Sequence, residues 1–211
     1  MEDVNYRLAY YAASCKDVEL AASEYPDTIA GKYAQYILDN KIVFDWAKLR
    51  EIALEVETDT PDGLVVHFRM GDRHLMKHEL LDFINSILKT EIMNVTIMSH
   101  KHLHWELMDG DGQKELDIVT KMLESKGRTV TLRDESPDED FAFMIRATDL
   151  HTSIGIFGIL AALCCDGNVY HSIGYTERLY DMYNEGTKTF VESPTELVTA
   201  MINKKISLIR R

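Results

Sequence analysis

The chain is short of proline, of cysteine and of positive charge. Only four prolines occur in 211 residues, of which 45% are hydrophobic and 27% charged. That balance excludes a disordered chain and leaves ample apolar material for a core. The three cysteines, Cys15, Cys164 and Cys165, are an odd number with one adjacent pair and no C-x-x-C. They make no disulfide framework and fit a reducing, cytoplasmic setting. Lys and Arg number 23 against 35 Asp and Glu, a formal net charge of -12. A field of that sign repels phosphate polymers, which argues against a generic nucleic-acid or anionic-membrane binder and leaves room for a local basic pocket holding one small anion. Long apolar runs are also missing. The longest, Ile154 to Cys165, contains two glycines and is too short to span a bilayer. The acidic Met1-Glu2-Asp3 start lacks the apolar core of a secretory leader, so none is expected. No G-x-G-x-x-G follows a first strand and no G-x-x-x-x-G-K-[ST] occurs, which argues against a nicotinamide dehydrogenase and a P-loop ATPase.

What is present alternates. Residues 3–57 read as helices, broken at Tyr25-Pro26-Asp27, with Asp27 or Thr28 as the cap of the next helix. The turn cluster Thr58 to Gly63 is the best boundary, separating an N-terminal helical segment (1–60) from a second unit (61–211). Beyond it, strand-like runs at 64–68, 93–98, 128–132, 148–151, 167–171 and 188–191 are separated by helix-like runs at 74–89, 112–126, 138–147, 153–165 and 174–184, with a last helix at 194–207. Ser136-Pro137 and Ser193-Pro194 each read as a capping Ser with Pro at the first helical position. The expected fold is α/β, a Rossmann-like, mostly parallel sheet with helices on both faces.

Two constellations fall at strand ends, where open α/β sheets bind ligands. The first is His67, Arg69 and Asp72, after the buried run Leu64 to Val66. An Arg there can grip a phosphate with two parallel hydrogen bonds. Asp72 can orient Arg69, accept a proton or cap the following helix. The second runs from Asp149 through Thr152, Ser153, Gly155 and Gly158. Two hydroxyls and the first N–H groups of a helix form an anion site, and Gly155 lets a ligand or the sheet approach the backbone; a plain N-cap is the simpler reading. Asp109 and Asp111 form a D-x-D pair able to hold Mg or Mn, although a turn explains them better. His100, His102 and His104 alternate, yet no second half of a zinc site is evident, and His100 or His102 is better placed to line a cleft. Cys164 and Cys165 read as core, and the tyrosines Tyr6, Tyr10, Tyr11, Tyr33 and Tyr36 as packing.

The stretch His67-Phe68-Arg69-Met70-Gly71-Asp72 resembles the H-x-R-x-G-D motif of fucosyltransferase-like glycosyltransferases with the GT-B fold. Leu150 to Gly158 is similar to that family's later strand, which ends in hydroxyl residues opening a helix. The resemblance spans roughly residues 63–185. It implies that Arg69 holds the diphosphate of a nucleotide-sugar donor and that His67 and Asp72 shape the pocket, both being candidates for the catalytic base. It further implies that Thr152 and Ser153 close on the phosphates from the other side and that Ser99 and His100 lie near the nucleotide. Met70 stands where the family's motif has a second basic residue. The chain has room for one lobe and a helical cap where a GT-B enzyme has two lobes, which suggests an excised or divergent donor-binding domain or part of a larger polypeptide. The activity so implied is transfer of fucose, rhamnose or a similar sugar from a nucleotide-diphospho-sugar to a glycan acceptor, with no cofactor required. The alternative is a non-catalytic nucleotide-sugar or glycan-binding module.

Overall fold

The computed structural model describes residues 18–41, 45–68, 77–98, 111–152, 156–172 and 207–209. Three helices open the described chain: α1 (Val18–Glu24), α2 (Ile29–Asn40) and α3 (Trp46–Leu54). The starts of α2 and α3 are written in short polar residues that satisfy the first orphan N–H groups of a helix. Thr28 caps α2 by accepting from the Gly31 N–H. Asp45 caps α3 by accepting from Ala47 and Lys48. Gly31 has a reason to be glycine, because a Cβ there would overlap the carbonyl of Tyr25. Tyr33 is buried and stacked on Tyr36, and its hydroxyl accepts the Asp45 N–H at 2.6 Å, so this part of the tyrosine face is packing. Tyr6, Tyr10 and Tyr11 lie outside the described residues.

From Gly63 the chain alternates strand and helix: β1 (Leu64–His67), α4 (Lys77–Leu88), β2 (Asn94–Met98), α5 (Asp111–Ser125), β3 (Thr129–Arg133), α6 (Pro137–Ile145), β4 (Asp149–Thr152), α7 (Ile156–Cys164) and β5 (Asn168–Ser172). A short strand, β6 (Ser207–Ile209), joins beside β5. Gly63 adopts φ +81, and its Cα lies too close to the Asn94 carbonyl for any side chain, so the chain enters β1 only through a glycine. Ser136 and Glu139 form a reciprocal capping box at the start of α6, with Pro137 in the first turn, as the sequence leads one to expect.

Among the described residues the five strand pairings are all parallel, and the order is β3-β2-β1-β4-β5-β6. The chain thus winds outward from β1 to β3, returns across the sheet, and winds the other way from β4. Parallel crossovers are as a rule right-handed, so that reversal puts the two sets of helices on opposite faces, and the core divides accordingly into two clusters. Leu64, Val66 and Phe68 pack with Leu80, Phe83, Ile84 and Ile87 of α4 and with Leu116, Val119 and Leu123 of α5. Val65 and Leu150 point the other way, toward α6 and α7. The Rossmann-like fold expected from the alternation is the fold observed.

The N-terminal helices complete the second face. Ala21, Ile29, Tyr33, Leu49 and Ile52 share one core with Phe141 and Met144 of α6 and Leu160 and Leu163 of α7. Arg146, at the end of α6, donates to the carbonyls of Leu54 and Val56 at 2.8 and 2.9 Å, closing the open end of α3. Cys164 and Cys165 are buried in the core, as read. One expectation needs correction. Ser207, assigned to the end of a helix over 194–207, begins strand β6, because pairing with β5 outweighs the local helical pattern over so short a segment. The runs expected at 174–184 and 188–191, and the cap at Ser193-Pro194, lie outside the described residues. Among the described residues, no helix is long and apolar enough to cross a membrane.

Candidate functional site

The order reverses between β1 and β4, and the carboxyl ends of these two neighbours form the topological switch point where such sheets bind ligands. The parallel register pairs His67, the last residue of β1, with Thr152, the last residue of β4. The same register pairs His67 with Met98, the last residue of β2, on its other side. The strand pairing continues one step further, with the Phe68 N–H donating to the Met98 carbonyl at 3.1 Å. Residues 64–68 and 149–152, which carry the beginnings of the two sequence motifs, are therefore side by side. Ser99 and Ser153 follow directly in the chain from the two register partners of His67.

Alternation places His67 and Thr152 on the face covered by α6 and α7. The His67 ring lies 5.8 Å from that of Phe157 in the first turn of α7, and Phe157 lies 5.5 Å from Phe141 of α6. Thr152 is fully buried and His67 is only 9% exposed. His67 thus sits on an aromatic wall just beneath the carboxyl edge. The α7 helix begins at Ile156, four residues past Thr152. The N-terminus is the positive end of a helix dipole, and α7 has that end at this edge of the sheet.

His67 and Thr152 are the two proposed site residues that the structure describes and brings together. Arg69, Asp72, Ser99, His100, Ser153 and Gly155 lie outside the described residues, as do His102, His104 and Asp109. Asp111 opens α5. Among the described residues no group of three or more His, Cys, Asp or Glu is arranged to hold a metal ion.

Two polar clusters were not singled out in the sequence. His151 faces away from Thr152, onto α4, where it is fully buried edge-on to Phe83 at 5.1 Å. Its Nε2 lies 2.6 Å from Ser86 Oγ, and that hydroxyl donates to the Phe83 carbonyl at 2.6 Å. A hydroxyl has one proton to give, so His151 Nε2 carries the hydrogen toward Ser86. This bond ties α4, which follows the first motif, to β4, which carries the second. The other cluster centres on Arg133, the last residue of β3. Its Nε lies 3.3 Å from Oδ1 of Asp140 in the first turn of α6, its guanidinium stacks 4.3 Å over Phe143, and it donates to Thr58 Oγ1 at 3.1 Å. Asp140 is masked in the sequence by its neighbours Asp138 and Glu139, since acidic residues in a first turn are ordinary. The signal that singles it out is its burial, which only packing reveals.

No family model matches this chain, and no curated protein matches it significantly.

Proposed function

We propose that this chain binds a nucleotide-diphospho-sugar at the β1/β4 switch point and transfers its sugar, fucose, rhamnose or a similar deoxysugar, to a glycan acceptor. The observation that carries the reading is the register of His67 with Thr152, which puts the first residue of the H-x-R-x-G-D stretch beside the first residue of the Thr-Ser pair. In this mechanism an acceptor oxygen forms a bond to the anomeric carbon as the bond from that carbon to the donor phosphate breaks. Arg69 and the α7 N-terminus, approached through Thr152 and Ser153, stabilise the charge that collects on the leaving nucleoside diphosphate. A base, Asp72 or His67, takes the acceptor proton. The nucleotide lies toward Ser99 and His100. No metal is needed where cationic and N–H groups hold the phosphates; a magnesium or manganese ion at Asp109 and Asp111 is the metal-dependent version of the same reading. A cytoplasmic setting belongs to the proposal and rests on the cysteine count.

One observation favours the second reading, a nucleotide-sugar-binding module without turnover. His67 is nine-tenths buried against Phe157, a poor position for a base that must reach an acceptor hydroxyl. Release of free nucleoside diphosphate from the donor, measured with and without acceptor, separates the two. Both readings require ligand to stabilise the fold. A thermal-shift panel of nucleoside diphosphates and nucleotide sugars should contain at least one member that raises Tm, by an amount corresponding to about 2.7 kcal/mol at a hundredfold excess over Kd. A panel with no stabilising member overturns both. Arg69→Ala should weaken donor binding by about 1.5–3 kcal/mol, roughly ten- to a hundredfold, with the unliganded Tm unchanged. Unchanged donor affinity would remove Arg69 from the phosphate site.

A further inference from the structure

Strand β3 closes one side of the sheet, and among the described residues no strand pairs with its outer edge. An open strand edge presents a row of backbone donors and acceptors to any other strand, and proteins usually protect it with Pro, Lys, a bulge or a covering element. From Thr129 to Leu132 this edge reads Thr-Val-Thr-Leu, without proline or charge. Its register with β2 runs unbroken from Asn94–Thr129 to Met98–Arg133, so no bulge turns it away. Thr129, Thr131 and Leu132 are exposed, Leu132 to 49%. We propose that this edge is a homodimer surface, on which β3 of a second copy pairs antiparallel, with Thr131 opposite Thr131 on a two-fold axis, so that two sheets join into one.

The backbone selects this register. The Thr129 N–H donates to the Met93 carbonyl at 2.9 Å, inward to the β2 side. In a parallel ladder, alternate residues turn their N–H and C=O groups to alternate sides, so those of Val130 and Leu132 point outward. An antiparallel copy centred on Thr131 sets Val130 opposite Leu132 and Leu132 opposite Val130. Both are then hydrogen-bonded pairs, each exchanging two bonds, and Thr131 with Thr131 is the closer pair between them. Moving the axis to Val130 sets Leu132 opposite Arg128, whose N–H is already given to the Leu123 carbonyl. Moving it to Leu132 sets Val130 opposite the charged side chain of Asp134.

The side chains fit the same register. Val95 and Ile97 of β2 lie beside Val130 and Leu132 and belong to the core beneath α4 and α5. Val130 packs on that core, while about half of Leu132 is left open. In the dimer each Leu132 lies against Val130 of the other copy, and the apolar layer continues across the axis. The two ends of the edge carry opposite charge, with Lys126 and Arg128 before β3 and Asp134 and Glu135 after it. Arg128 is held at its end by donating to the Leu88 carbonyl at 2.9 Å. Antiparallel pairing sets Arg128 opposite Asp134 twice, whereas parallel pairing would bring like charges together. The net charge of -12 opposes self-association in general, and at this edge the charges of two copies complement each other.

The test is sedimentation of the full chain over a range of concentrations, joined to cysteine cross-linking in a Cys15→Ser background, where Cys164 and Cys165 are buried. The mass should rise with concentration from 24.2 kDa to twice that value. Leu132→Lys, which acts twice across the axis, should weaken the dimer roughly tenfold. Asp134→Lys should weaken it less, since that pair lies at the exposed rim. Both side chains are exposed, so the monomer fold should survive either change. In the dimer the two Thr131 Cα atoms stand about 4.5 Å apart, within the span of a disulfide. Thr131→Cys should therefore cross-link to itself under mild copper oxidation, and Thr129→Cys, set opposite Arg133, should not. A chain that stays monomeric throughout overturns the proposal and leaves the edge to a strand of a different protein. A dimer that resists Leu132→Lys, fails to cross-link through Thr131→Cys, or cross-links equally through Thr129→Cys overturns it as well.

Discussion

The two faces of the sheet solve the same burial problem with different chemistry. On the face of α4 and α5, Leu64, Val66, Val95 and Ile97 meet Phe83, Ile84, Ile87 and Val119, and His151 with Ser86 is a polar tie within that layer. On the face of α6 and α7, a third layer of N-terminal helices is added, and the polar residues His67, Thr152, Arg133 and Asp140 stand at or next to strand ends. The difference lies in the partners: His151, one residue from the end of β4, is satisfied by Ser86 inside its layer, while Arg133 at the end of β3 also reaches Thr58 and the exposed Asp59.

The largest expected break in this comparison comes from the aromatic residues. Phe141→Ala on the α6/α7 face and Phe83→Ala on the other should each cost about 3–5 kcal/mol in urea unfolding, as large-to-small changes in a packed core do. Only Phe141→Ala should also weaken binding of whichever nucleotide the thermal-shift panel identifies, because its ring backs Phe157 and through it His67. Equal effects on binding from both variants would mean that the faces are not specialised. A smaller effect is expected for Ser86→Ala, which removes the acceptor of a buried His151 N–H and should cost about 1–3 kcal/mol by the same measurement. The smallest is expected for Ser136→Ala. It opens the capping box of α6 at the exposed end of that helix and should lower stability by about 1 kcal/mol. A loss in Ser136→Ala as large as that in Phe141→Ala would show that the start of α6, and not its packing, anchors the second face.

The parts legible in the chain are those whose cause is local. The Gly63 turn, the buried run from Leu64, the Ser136-Pro137 start and the strand-helix alternation each reside within a few neighbouring residues, and each is found where the pattern places it. The end of β3 is read one residue short, at 132, which hides Arg133 as a strand-end cation. Ser86 and His151 lie 65 positions apart, and Thr58 and Arg133 lie 75 apart, so neither pairing has a local signature. Ser207–Ile209 has three residues, too few for any period to show, and its strand character comes from β5 alone.

Chain order and apolar period were enough to make this an α/β protein with its candidate residues at strand ends, because backbone hydrogen bonding and side-chain alternation act over a few residues. Which strand ends become neighbours was not contained in any stretch of the chain. It follows from the reversal of winding after β3, which lays β4 against β1 and sets His67 beside Thr152. The same packing buries Asp140 against Arg133 and lifts its proton affinity, since desolvation depends on everything that surrounds a carboxyl and not on the residues that precede it.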